Sequence, residues 1–160
     1  MIVEAPIIAD VDVIVVGATT GGVEAACAAR EAGARVFLAI PETYPGSDVC
    51  ATARYWLNSE QDAATPLARE LFEEALRSEL PVRPMHVKYG LEQALVEAEC
   101  RWLYMTYPLA LMRDDAGRVC GLVVVNRSGV QVVRGRTILD TTERALVAAM
   151  TAAAFRPFPE

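Results

Sequence analysis

Residues 12–22, DVIVVGATTGG, constrain this chain more than any other stretch. Val13, Ile14, Val15 and Val16 make a short β-branched run that suits a strand covered on both faces in a parallel sheet. Gly17 stops the run. From residue 20 to 32 the composition turns Ala-rich, with Val23, Ala26, Cys27 and Ala29 recurring at helical spacing, and Gly33 falls where a helix C-terminal cap is expected. A second apolar run at residues 35–40, closed by Pro41, completes a β-α-β unit. A strand that feeds a glycine turn at a helix start aims unpaired backbone N–H groups and the positive helix end at one point, and a pyrophosphate can sit there. Gly17, Ala18, Thr19, Thr20, Gly21 and Gly22 form that turn. In the G-x-G-x-x-G scheme Gly17 is the first glycine, Gly22 the third, and Thr19 holds the middle position. The same turn also serves as a plain βα connection without a ligand, and that reading stays open.

The rest of the chain extends this unit. Residues 1–10 contain Pro6 and no clear period, so they read as a lead-in segment. Residues 42–66 form a long mixed connection with a Pro45-Gly46-Ser47-Asp48 turn, of a length that usually touches a ligand or a partner domain. Residues 67–80 carry apolar positions 67, 68, 71, 72, 75 and 76 on one helical face and Glu70, Glu73, Glu74 and Arg77 on the other. Pro81 and Pro84 interrupt, a helix is expected over 85–99, and a strand over 101–106. Segments 109–113, 119–126 and 130–134, separated by Asp114-Asp115-Ala116-Gly117 and Ser128-Gly129, then read as a three-stranded antiparallel meander. A last strand at 137–140 precedes an Ala-rich helix expected over 143–154. The fold class that follows is α/β: a Rossmann-like parallel sheet with helices on its faces and a three-stranded antiparallel β-meander. One domain at 11–155 is expected, with 156–160 as a tail.

Composition narrows the functions. The formal charge of −6 and the absence of a Lys/Arg run argue against nucleic acid as a partner. No apolar run approaches the roughly 20 residues of a membrane-spanning helix, and no basic, signal-like N-terminus precedes Glu4, so no membrane partner is expected. Cys27, Cys50, Cys100 and Cys120 match no CxxC or zinc spacing and read as reduced thiols, which points to the cytoplasm and to no metal site. His86 is the only histidine, so any Ser-His-Asp or Cys-His device would depend on it.

Over nearly its whole length the chain resembles the FAD-binding domain of the glutathione-reductase-like, FAD-dependent oxidoreductases. Residues 12–40 carry the dinucleotide fingerprint, 119–135 the meander, and 137–142 the strand that in the family ends in an Ala-Thr-Gly motif near the flavin. The resemblance implies that FAD lies with its pyrophosphate at Gly17–Gly22, that Thr141 and Thr142 flank the cofactor, and that a second domain holds the substrate. Two positions depart from the family pattern. Where an acidic residue binds the adenosine ribose, this chain has Ile40, and Glu42 is the nearest carboxylate beyond Pro41. Asp140-Thr141-Thr142 is followed by Glu143-Arg144 in place of Gly-Asp, so Thr142 is expected to crowd the cofactor. Cys50 lacks the second cysteine of disulfide-using flavoenzymes, and Trp56 and Trp102 read as packing residues.

Two functions follow. The first is an FAD-binding domain that passes hydride from an organic substrate to FAD, with the substrate domain absent from this chain and no evident catalytic acid or base within it. The second is a degenerate, cofactor-free Rossmann-like module that acts as a structural or partner-binding subunit. In both, an apolar face would be covered by a substrate domain or a second chain.

Overall fold

The computed structural model describes residues 4–57, 63, 65–78 and 80–156. Its elements run β1 (Ile7–Val16), α1 (Thr20–Glu31), β2 (Val36–Ala39), α2 (Ser47–Cys50), α3 (Pro66–Ser78) and α4 (Pro84–Glu97). They continue as β3 (Arg101–Leu103), β4 (Tyr107–Arg113), β5 (Val119–Asn126) and β6 (Gly129–Asp140), and one 3₁₀ turn follows at Ala148–Met150. All six strands join a single sheet in the order β3-β2-β1-β6-β5-β4. β1 pairs in parallel with β2 from Val13↔Val36 to Val16↔Ala39, and with β6 up to Val16↔Asp140. β5 runs antiparallel to both β6 and β4. The expected fold class, a Rossmann-like α/β sheet with an antiparallel meander, is the observed one.

The β-branched run of β1 is buried on both sides, as a central parallel strand requires: Ile14, Val15 and Val16 are fully enclosed. Alternation along the strands then divides the core in two. Val15, Leu38 and Ile40 face a cluster with Val23 and Ala26 of α1, Leu71 and Phe72 of α3, and Val87, Leu91 and Leu95 of α4. Ile14, Val16, Phe37 and Ala39 face Leu122, Val124, Val133 and Val147. The α-helices bury their apolar residues in the first cluster, and the second is closed by the strands themselves and Val147.

Three features differ from the expectation. β1 begins at Ile7, inside the segment read as a lead-in. The third meander strand and the last strand are one continuous element, β6. Gly135, between the expected strands 130–134 and 137–140, lies within β6, where a Cβ would come 2.7 Å from Ile14 Cγ1 on β1, so it permits a close approach to β1. The helix expected over 143–154 does not form. Instead the Asp140 carboxylate accepts hydrogen bonds from the Val147 and Ala148 N–H groups at 2.8 Å each, and Thr142 Oγ1 accepts one from Leu146 N–H at 2.8 Å. Ala145 turns into the left-handed region at φ +50°, and only the 3₁₀ turn follows. Residues 157–160 of the expected tail lie outside the described residues.

The four cysteines are free. Trp102 packs edge-on to Tyr104 at 6.4 Å against the first core cluster, whereas Trp56 is 57% exposed and belongs to neither cluster.

Candidate functional site

The sheet order puts the end of β1 at a topological switch point: the chain leaves it toward β2 on one side, and β6 returns on the other. In open α/β sheets the crevice beyond the strand ends at such a point is where ligands bind. The Gly17–Gly22 turn lies there. Gly17 adopts φ +95°, a conformation that costs glycine little and an L side chain much. Thr19 is the N-cap of α1, and its Oγ1 accepts a hydrogen bond from Gly22 N–H at 3.1 Å, which satisfies one of the helix's unpaired donors.

Thr141 is the second half of the turn. Its N–H donates to Val16 O at 2.9 Å, and its hydroxyl donates to Val16 O at 2.9 Å and reaches Gly17 O at 3.2 Å. The Thr19 hydroxyl in turn donates to Thr141 O at 3.3 Å. A Cβ on Gly22 would lie 2.4 Å from Thr141 Oγ1, so the third glycine is required by the end of β6. Around Gly21 nothing lies within 4 Å of a Cβ position, and its face of the helix end is open.

The long connection after β2 closes over this turn. Gly46 N–H donates to Ala18 O at 2.6 Å, and Gly46 itself holds φ +82° against Leu91 and Val87 of α4. The short helix α2 that follows presents Asp48, whose Oδ1 accepts a hydrogen bond from Thr20 N–H at 2.9 Å. A carboxylate therefore rests on the positive end of α1. The Thr20 hydroxyl beside it is buried without a hydrogen-bond partner among the described residues. Asp48 was read from sequence only as a turn residue; a signal existed in its place within a turn cluster of a long connection, but its reach to α1 depends on the fold.

The remaining expected site residues are placed differently. Ile40, at the ribose position, is fully buried in the first core cluster beside Leu38, so this side chain serves packing. Glu42 is half-buried, and its carbonyl accepts from Met105 N–H, while its carboxylate makes no hydrogen bond among the described residues. Thr142 turns from the glycine turn toward Asp140: its N–H and hydroxyl both donate to Asp140 Oδ1, at 3.1 and 2.7 Å. Burial acts to raise the Asp140 carboxyl, but the bonds from the Thr142 hydroxyl and the Ala148, Thr142 and Val147 N–H groups prevail and hold it below the usual carboxylate range. Cys50 is half-buried, and burial pushes its thiol up, which suits an inert residue. Among the described residues no helix is long and apolar enough to cross a membrane.

The comparisons fit this geometry. Residues 12–157 match the family described as FAD dependent oxidoreductase. None of the curated proteins matches. Among solved structures, the chain is similar to THI4 of Thermovibrio ammonificans, with 19% identity and a TM-score of 0.63 over 87% of this chain and 60% of that one. It is also similar to the 3-ketosteroid-Δ4-(5α)-dehydrogenase of Rhodococcus jostii, with 15% identity and a TM-score of 0.58 over 86% and 48%. The flavin-dependent brominase Bmp2 gives 13% identity and a TM-score of 0.63 over 88% and 40%. At these identities the likeness concerns the fold, and the chain spans 40–60% of the length of those three structures. With the family match extending from the first residue of the glycine-turn run through the turn after β6, the chain belongs to the FAD-dependent oxidoreductase family.

Proposed function

We propose that this chain is the FAD-binding domain of a flavin-dependent oxidoreductase, with the FAD pyrophosphate at the Gly17–Gly22 turn and the substrate held by a further domain or chain. The observation that carries the reading is the Asp48 carboxylate on Thr20 N–H at 2.9 Å: the end of α1 already holds an oxyanion, so its donors suit a phosphate. The Thr20 hydroxyl is buried and left without a partner among the described residues, a polar group still to be satisfied at the start of α1, and Gly21 leaves the helix end open. When bound, FAD supplies the acceptor for a hydride from an organic substrate. The chain's own contribution is to bind and orient. The N–H groups of Thr20 and Gly21 at the start of α1 would hold the pyrophosphate, while Thr19 and Thr141 tie the end of β6 to the turn and keep its shape. Exposed Leu103, Met105, Tyr107 and Leu109, on β3, β4 and the residues between them, offer apolar surface for the substrate-bearing partner.

A second reading, a cofactor-free Rossmann-like module, is favoured by Ile40, because an aliphatic side chain committed to the core leaves the adenosine ribose without its usual acceptor. The visible spectrum of the purified chain, with and without added FAD, separates the two. The first reading expects flavin absorption that stays with the protein through gel filtration. A colourless chain that retains no added FAD overturns it in favour of the second.

A further inference from the structure

We infer that Asp48 is an internal stand-in for the cofactor's phosphate, and that its carboxylate must leave the end of α1 before FAD can load. The inference rests on the proposed pyrophosphate site and names what regulates it. Three observations carry it. Asp48 Oδ1 takes the Thr20 N–H at 2.9 Å, and this amide belongs to the glycine turn itself. Of the neighbouring donors, Gly22 N–H is already given to Thr19 Oγ1 and Val23 N–H to Thr19 O, so Asp48 occupies one of the few that a ligand could use. No Lys or Arg pairs with Asp48 among the described residues, which leaves the helix end as the main partner of its charge.

The seat is built to release. Gly46, at φ +82°, is anchored from both sides: its N–H bonds Ala18 O at 2.6 Å, and the space a Cβ would need is taken by Leu91 Cδ1 at 2.7 Å. The backbone entering α2 is thus fixed, while Asp48 lies two residues on, half-buried and held to α1 by a single hydrogen bond. Rotation of this side chain uncovers the Thr20 N–H without moving Gly46. An anion that stays close to an incoming pyrophosphate opposes it by like-charge repulsion, and one that rotates away gives up its own hydrogen bond. Either way wild-type FAD affinity is lowered by competition inside the molecule, and loading is favoured by whatever draws the Asp48 carboxylate elsewhere.

Removing the charge tests this. FAD is titrated into the full chain and into Asp48→Asn and Asp48→Ala, with binding read by quenching of flavin fluorescence. Both variants are expected to bind about tenfold more tightly, equivalent to about 1.4 kcal/mol. A gain under threefold, or a loss, in both overturns the inference and leaves the glycine turn as the FAD site. If no form takes up FAD, the proposed function fails, and inorganic pyrophosphate decides the inference separately. The amide resonances of Thr20 and Gly21 are then followed: shifts in Asp48→Asn at pyrophosphate concentrations that leave wild type unmoved uphold the internal anion, and equal responses overturn it.

Discussion

Gly21 and Gly22 are adjacent in the turn, yet their surroundings are opposite. A methyl group at Gly22 would meet Thr141 Oγ1 at 2.4 Å and the Gly17 carbonyl oxygen at 3.1 Å, whereas one at Gly21 meets nothing within 4 Å. Gly22→Ala is therefore expected to destabilise the fold by about 1–3 kcal/mol through overpacking. Gly21→Ala is expected to be neutral or to stabilise by up to about 1 kcal/mol, because alanine favours the helix. Urea midpoints of the two variants check the order, and equal losses would place Thr141 elsewhere. The glycine spacing was legible in the sequence because it is local. The partner that makes the third glycine necessary was not, since Thr141 reaches the turn only through the parallel pairing of β6 with β1. The same holds for Ile40, whose failure as a ribose acceptor was readable while its place in the core was not.

At the scale of elements, α1, α3, α4 and the β4–β5 hairpin follow their periodicity and turn residues closely, since each is specified by neighbours within one or two turns of chain. The segment after β6 does not. Its Ala-rich composition favours a helix, but the Asp140 carboxylate gathers the Val147 and Ala148 N–H groups from a strand end fixed by the sheet, and Ala145 takes the left-handed conformation to allow it. Tertiary geometry overrides propensity there. Ala145→Gly, at φ +50°, should then raise stability by about 0.5–1 kcal/mol, because relief of the left-handed strain exceeds the added entropy of the unfolded chain. In a true helix the same change would cost about 1 kcal/mol, so the sign of the shift in denaturant midpoint tells the two structures apart.

At the scale of the molecule, the carboxyls of Asp12, Asp114 and Asp140 are held below the ordinary range among the described residues. Asp12 owes this to the Arg35 side chain and backbone N–H, at 3.1 and 3.0 Å, and to Arg136 at 3.2 Å, contacts that join β1 to β2 and β6. In Asp114 the N–H and side chain of Arg118 are the cause, in the β4–β5 turn. At Asp140 hydrogen bonds outweigh burial. A carboxyl whose folded value is lowered contributes stability that is complete above the unfolded value of about 4 and is lost as pH falls below it toward the folded value. Stability should accordingly be level from about pH 7 to 5 and decline from about pH 4 downward. Asp12→Asn is expected to lower stability at neutral pH and to flatten the decline. Urea midpoints at several pH values measure both, and an unchanged slope in the variant would remove Asp12 from the acid response.

The sequence by itself determined the β-α-β unit, the glycine turn, helices α3 and α4 and the β4–β5 hairpin, because hydrophobic period and turn chemistry act over short stretches of chain. Only the tertiary structure decided that β6 is one strand, that residues 143–154 do not form a helix, and that Asp48 lies on the end of α1. Each of these depends on groups distant in sequence brought within hydrogen-bond or van der Waals reach by the pairing of strands and the docking of α2, and no local pattern encodes such a meeting.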